Sequence, residues 1–214
     1  MKLLALSKKP FWIGFFQGFV VGLFIFGFFL WWQYGIFCMK PAVYLYPTKP
    51  MVVDVKVQPF GFFTKTVPSY NGGWRVNATP EGLIDERYDY LFYEFATLDV
   101  FGSNRGWVVP KDDLASWFDR TLPLYGLNGK EAEQMKEYWV SAMDKDGYYL
   151  ITPIEGDRLN LLSRLDVKPK PDTVIRVYFN FKHINKPVDV AKPVIRTPER
   201  KGFTVVEWGG VLSQ

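Results

Sequence analysis

The 214-residue chain is 48% hydrophobic and 18% aromatic, which excludes a disordered polypeptide and provides for one sizeable packed core. Its formal net charge of +4 is unevenly placed: Lys2, Lys8 and Lys9 stand in residues 1–39 without any acid, so the remainder is close to neutral and lacks the basic surface that nucleic-acid binding demands. A single cysteine, Cys38, and a single histidine, His183, exclude an intrachain disulfide, a Cys- or His-rich metal centre and a Cys–His dyad within the domain.

Residues 11–32 read FWIGFFQGFVVGLFIFGFFLWW, uncharged and with Gln17 as the one strongly polar side chain. Such a run matches a hydrocarbon core of about 30 Å at about 1.5 Å per helical residue. It predicts a transmembrane helix over 11–33 that touches the lipid bilayer on all faces. Trp12 at one end and Trp31, Trp32 and Tyr34 at the other fit the aromatic belts of the two interfaces. Three lysines before the segment against Lys40 after it predict a cytoplasmic stub, 1–10, and a C-terminal domain outside the cell membrane. The run is too long for a cleaved signal peptide, and bulky Phe37 precedes Cys38 where a lipoprotein signal has small residues. Gly14, Gly18 and Gly22 recur every fourth residue, a small-residue stripe that would let two such helices approach as a homo-oligomer.

Pro41, Pro47 and Pro50 punctuate the exit from the membrane, and residues 34–50 read as a linker to a domain over 51–212. Val53, Val55 and Val57 alternate with polar residues as a half-buried strand; Gly61 turns the chain, and 62–67 can return as its partner. After the Asn71-Gly72-Gly73 turn, Trp74, Val76 and Ala78 alternate again, and 88–95 is apolar on both faces, as in a central strand. Leu114, Trp117, Phe118 and Leu122 repeat at helical spacing behind Asp112 and Asp113, and Pro123 and Gly126 end that helix. Asn128 and Glu131 form a capping box for a second helix whose inner face would be Ala132, Met135, Trp139 and Met143, closed by Gly147. Strands resume at 148–151, at 173–182 with Ile175, Val177, Phe179 and Phe181 on one face, and at 203–208, ending at Gly209-Gly210. The fold class is therefore α+β: an N-terminal transmembrane helix, then a β-rich globular domain with a two-helix insertion.

Six blocks in this order, KPAVYLYPTKP at 40–50, YNGGW at 70–74, YDYLFYE at 88–94, GLNGKEAEQMKEYW at 126–139, PDTVIRVYF at 171–179 and ERKGFTVVEWGG at 199–210, resemble a family of uncharacterised bacterial proteins over nearly all of residues 40–212. The resemblance implies an exported or membrane-anchored bacterial protein. It brings no activity, cofactor or catalytic residue with it.

Glu94 and Glu207 are carboxylates within apolar, strand-like runs. Placed together in a cleft they would equip a carboxylate-dependent hydrolase of glycoside type; apart, one or both would pair with Arg176 or accept backbone hydrogen bonds. His183 falls in an expected loop after the long strand, where a solvated role outweighs a catalytic one. Asp85, Glu86, Asp89 and Asp99 lack the order of a calcium loop, and no metal or cofactor is implied. Motifs for a serine nucleophile, a zinc protease or a phosphate loop are missing. The function expected is a binding or interaction module of the cell envelope, with a glycan or a protein as partner, carboxylate hydrolysis being the alternative.

Overall fold

The computed structural model describes residues 9–34, 37–97 and 104–213, with the side chains of 9–12 and 28–38 outside that description. It divides into two compact units, residues 1–36 and 37–214. The first is α1 (Lys9–Tyr34), 26 residues of helix, about 39 Å at the usual rise. Its described side chains, 13–27, are exposed all round, among them Ile13, Phe16, Phe19 and Phe24. Among the described residues no helix is long and apolar enough to cross a membrane; the stretch 13–27 rises only about 22 Å. A Cβ added at Gly14, Gly18 or Gly22 would meet nothing within 4 Å, so the stripe is open. The side chains of Trp12, Trp31, Trp32 and Tyr34 lie outside the described ones.

The second unit is β-rich with a helical insertion, an α+β arrangement in three layers. Its central layer is an eight-stranded sheet in the order β1-β6-β2-β11-β10-β8-β7, with β4 on the free edge of β6. The strands are β1 (Phe37–Met39), β2 (Ala42–Tyr46), β4 (Phe62–Val67), β6 (Leu91–Thr97), β7 (Trp107–Pro110), β8 (Tyr148–Pro153), β10 (Thr173–Ile184) and β11 (Thr204–Ser213). A three-stranded sheet covers one face: β3 (Met51–Pro59) between β5 (Trp74–Ala78) and β9 (Ser163–Lys168). Helices α2 (Leu114–Thr121) and α3 (Gly129–Ala142) cover the other, and α4 (Gly156–Leu162) leads into β9.

Each sheet strand divides its side chains between two cores because successive residues point to opposite faces. On β2, Val43 and Leu45 enter the core between the sheets, while Ala42 and Tyr44 enter the core beneath the helices. On β10, Ile175, Val177, Phe179 and Phe181 all join the helix-side core with Trp117, Phe118, Met135 and Trp139. The helix faces are those the spacing predicts, and the capping box joins Asn128 and Glu131.

Four expectations need correction. Residues 34–50 are not a linker throughout, because β1 and β2 lie inside the sheet, beside β6. The proline spacing misled, since Pro41 sits between these two short strands and its carbonyl accepts from the Tyr93 N–H. β4 does not return along β3 but pairs with β6, both edges of β3 being taken by β5 and β9. β11 does not stop at Gly209-Gly210 but runs on to Ser213. Those glycines make room for large rings: a Cβ would lie 2.6 Å from Tyr178 at 209 and 2.7 Å from Trp139 at 210. β10 extends to Ile184, so His183 is a strand residue, its Nε2 2.8 Å from the Asp146 carbonyl.

Candidate functional site

Between the sheets lies a polar cluster within an otherwise apolar core. Arg176 on β10 and Glu207 on β11 are register partners across the parallel pair. Parallel neighbours present the same face, so both side chains enter the inter-sheet layer. The Arg176 Nε donates to a Glu207 carboxylate oxygen at 2.5 Å, and Glu207 is fully buried. The second oxygen accepts from the Tyr93 hydroxyl at 2.6 Å. That hydroxyl also lies 2.8 Å from Ser163 Oγ and 3.1 Å from the Tyr178 hydroxyl. The rest of the guanidinium donates to the Ser163 carbonyl at 2.6 Å and to Asn160 at 3.1 Å. Five elements thus meet around the Arg176–Glu207 pair.

The electrostatics follow from this packing. Burial opposes the Arg176 charge, but Glu207 beside it prevails and holds the guanidinium more firmly protonated than usual. Burial, reinforced by the Glu207 charge, pushes the phenols of Tyr93 and Tyr178 well above the ordinary tyrosine range. A carboxylate held by arginine and tyrosine in a closed core has no approach for a substrate. Its chemistry is that of a satisfied ion pair linking two sheets.

Glu94 is elsewhere. It follows Tyr93 on β6 and so points to the opposite, helix-bearing face. There it accepts from Lys40 at 2.7 Å and Thr64 at 3.2 Å, with Lys40 Nζ lying 5.6 Å from the Tyr138 ring centre. Glu94 and Glu207 therefore do not open into one cleft, and the two-carboxylate geometry of a glycoside hydrolase is not formed by this pair.

On that helix-bearing face runs a groove of about 660 Å³, between α3 and β6. Tyr90, Phe92 and Tyr138 are half-buried along it, Trp208 forms its floor, and Gln134, Glu137 and Ser141 of α3 line the other side. Beneath it a chain of hydrogen bonds runs from the Trp208 indole N–H to the Tyr44 hydroxyl at 3.1 Å, and from that hydroxyl to Gln134 Oε1 at 2.5 Å. A second buried ion pair fixes the N-terminus of α3: Arg200 donates to both oxygens of Glu131, which is 1% exposed, and to the Gly126 carbonyl.

The sequence reading missed this groove and the Arg200–Glu131 pair. Positions 134, 137, 138 and 141 do carry a signal, for they form a second stripe at helical spacing beside the buried Met135 and Trp139. The acids near residue 85 do not gather. Asp85 accepts from the Asn77 N–H, Asp89 pairs with Lys130, and Asp99 lies outside the described residues. Among the described residues no group of three or more His, Cys, Asp or Glu could hold a metal ion. Comparisons with protein-family models, with curated proteins and with solved structures find no match for this chain.

Proposed function

We propose that this protein is a membrane-anchored binding module, with α1 crossing the bilayer, the stub before it cytoplasmic, and the domain from Phe37 onward facing the cell envelope. The observation that carries the reading is α1 itself. Apart from Gln17 and the glycines, its described side chains are large and apolar, and all are exposed; a helix without a polar face needs a partner that water cannot be. Lipid is the partner that the uncharged run 11–32 and the flanking lysines specify.

Two features of the domain support binding over hydrolysis. The buried carboxylate, Glu207, is consumed by an ion pair, and the accessible one, Glu94, is paired with Lys40 on the other face. The helix-bearing face carries the aromatic and polar groove, whose lining suits recognition. The test is topological. With a tag at each terminus, protease added to cells with a permeabilised outer barrier should remove the C-terminal tag and spare the N-terminal one. A protected C-terminal tag would refute the reading.

A further inference from the structure

We propose that the groove between α3 and β6 binds a neutral glycan chain, its sugar rings stacked on Tyr90 and Tyr138 and its hydroxyl groups bonded by Gln134, Glu137 and Ser141. This rests on the binding-module reading and names the ligand class of the groove. The two walls differ in chemistry. The β6 side and floor offer aromatic surface from Tyr90, Phe92 and Trp208. The α3 side offers Gln134, Glu137 and Ser141 at i, i+3 and i+7, with Tyr138 among them. A sugar ring is built the same way, with C–H groups on its faces, which suit a π face, and hydroxyls around its edge.

The orientation of Gln134 is fixed by donors and acceptors. An indole N–H can only donate, so the Tyr44 oxygen must accept from Trp208, and its own proton goes to Gln134. The atom of Gln134 facing Tyr44 is therefore the carbonyl oxygen, and the amide NH₂ is turned away from it. That NH₂, the Glu137 carboxylate and the Ser141 hydroxyl make no hydrogen bond to any described residue. The groove thus holds one free donor, one free acceptor and one group that serves as either, which is the complement a run of hydroxyls requires.

Other ligand classes fit less well. Glu137 is the one charged residue lining the groove, and the nearby Lys40 is neutralised by Glu94, so a polyanion finds no counter-charge. A peptide that adds as a β-strand needs an open strand edge, and both edges of β6 are occupied, by β4 on one side and by β1 and β2 on the other. The groove's size, about 660 Å³, lies within the usual range of about 300–1,000 Å³ for ligand sites.

The test uses the full chain in a zwitterionic detergent without a sugar headgroup, titrated with chitotetraose and with cellotetraose and read by intrinsic tryptophan fluorescence and by calorimetry. Saturable binding of at least one of them is expected. Tyr138→Ala, which removes a stacking face, and Ser141→Arg, which fills the groove from an exposed helix position, should each weaken it by about tenfold or more. Glu133→Ala, at an exposed α3 position away from the groove, should leave it unchanged. Should Tyr138→Ala disturb folding by circular dichroism, Ser141→Arg carries the test alone. The proposal is overturned if neither saccharide binds at about 10 mM, if binding survives the substitutions in folded protein, or if an unstructured peptide occupies the groove in their place. Such a failure, with the C-terminal tag still accessible on cells, overturns the glycan assignment and leaves the anchored module standing.

Discussion

Replacing Arg176 with methionine keeps most of the side-chain volume and removes the charge. Glu207 is then a fully buried carboxylate with the Tyr93 hydroxyl as its remaining side-chain partner. Breaking a buried ion pair from one side costs about 3–5 kcal/mol, a large part of the about 5–15 kcal/mol that holds a domain folded. In a domain of this size each kcal/mol lowers the melting temperature by about 2–4 °C, so Arg176→Met should melt about 6–20 °C below the parent. The control is the double variant Arg176→Met with Glu207→Leu. It removes the stranded charge, and Tyr93 keeps Ser163 and Tyr178 as partners. Replacing both members of a buried pair with apolar groups is often neutral, so the double should recover at least about 2 kcal/mol of the loss. Urea denaturation followed by tryptophan fluorescence reads both values. A double variant no more stable than the single would show that the cost lies in packing rather than in the uncompensated carboxylate, and would refute the electrostatic account.

Three further outcomes follow from the same geometry. Gly210→Ala would set a methyl group 2.7 Å from Trp139, 2.8 Å from Phe181 and 2.9 Å from a backbone oxygen, and should cost about 1–3 kcal/mol or more in urea titrations. The raised phenols of Tyr93 and Tyr178 stay protonated in the folded state while their unfolded counterparts ionise near pH 10. The folded state then holds more protons, so stability is intact below about pH 10 and falls above it; the two contribute about 2.7 kcal/mol per pH unit, and Tyr93→Phe should reduce the slope by about half of that. Gly18→Ile places a bulky group at the centre of the open stripe and should abolish the self-association of α1 in a membrane two-hybrid assay; a wild-type segment without any signal would refute that contact.

How legible the fold was depends on the range of the interactions concerned. Periodicity is local, so the faces of α2, α3, β3, β5 and β10 could be read from the chain. At Val53, Val55 and Val57 the alternation alone names the buried side. β2 could not be read so, because Ala42 to Leu45 are buried on both faces and a central strand has no alternation to show. Pairing is not local either: β4 follows β3 through a turn, yet its hydrogen bonds go to β6. α4 is a single short helix with no periodic stretch long enough to recognise. The candidate site was legible to the extent that residue type limits partners. Two carboxylates and one arginine in apolar strands must find company, but whether Glu94 and Glu207 share a face is set by register. Tyr93, one residue from Glu94, points the other way and carries the contact to Glu207.

The buried bonds also account for how the groove is held. Its α3 wall owes its position to two anchors. Near the start of the helix, Arg200 ties Glu131 and Gly126 together, and Arg200 belongs to the chain that leads from β10 into β11. One turn on, Gln134 is tied through Tyr44 to Trp208, and so to β2 and β11. Both anchors involve side chains that are largely buried, where a hydrogen bond is worth more and its loss costs more than on the surface. The aromatic wall is fixed separately, by pairing of β6 on both edges. Neither wall therefore depends on a ligand for its place, and Gln134 presents its free amide from a position that Tyr44 has already set. A site prepared in this way loses little conformational entropy on binding, which is what a weakly contacting, hydroxyl-rich ligand needs in order to be held at all.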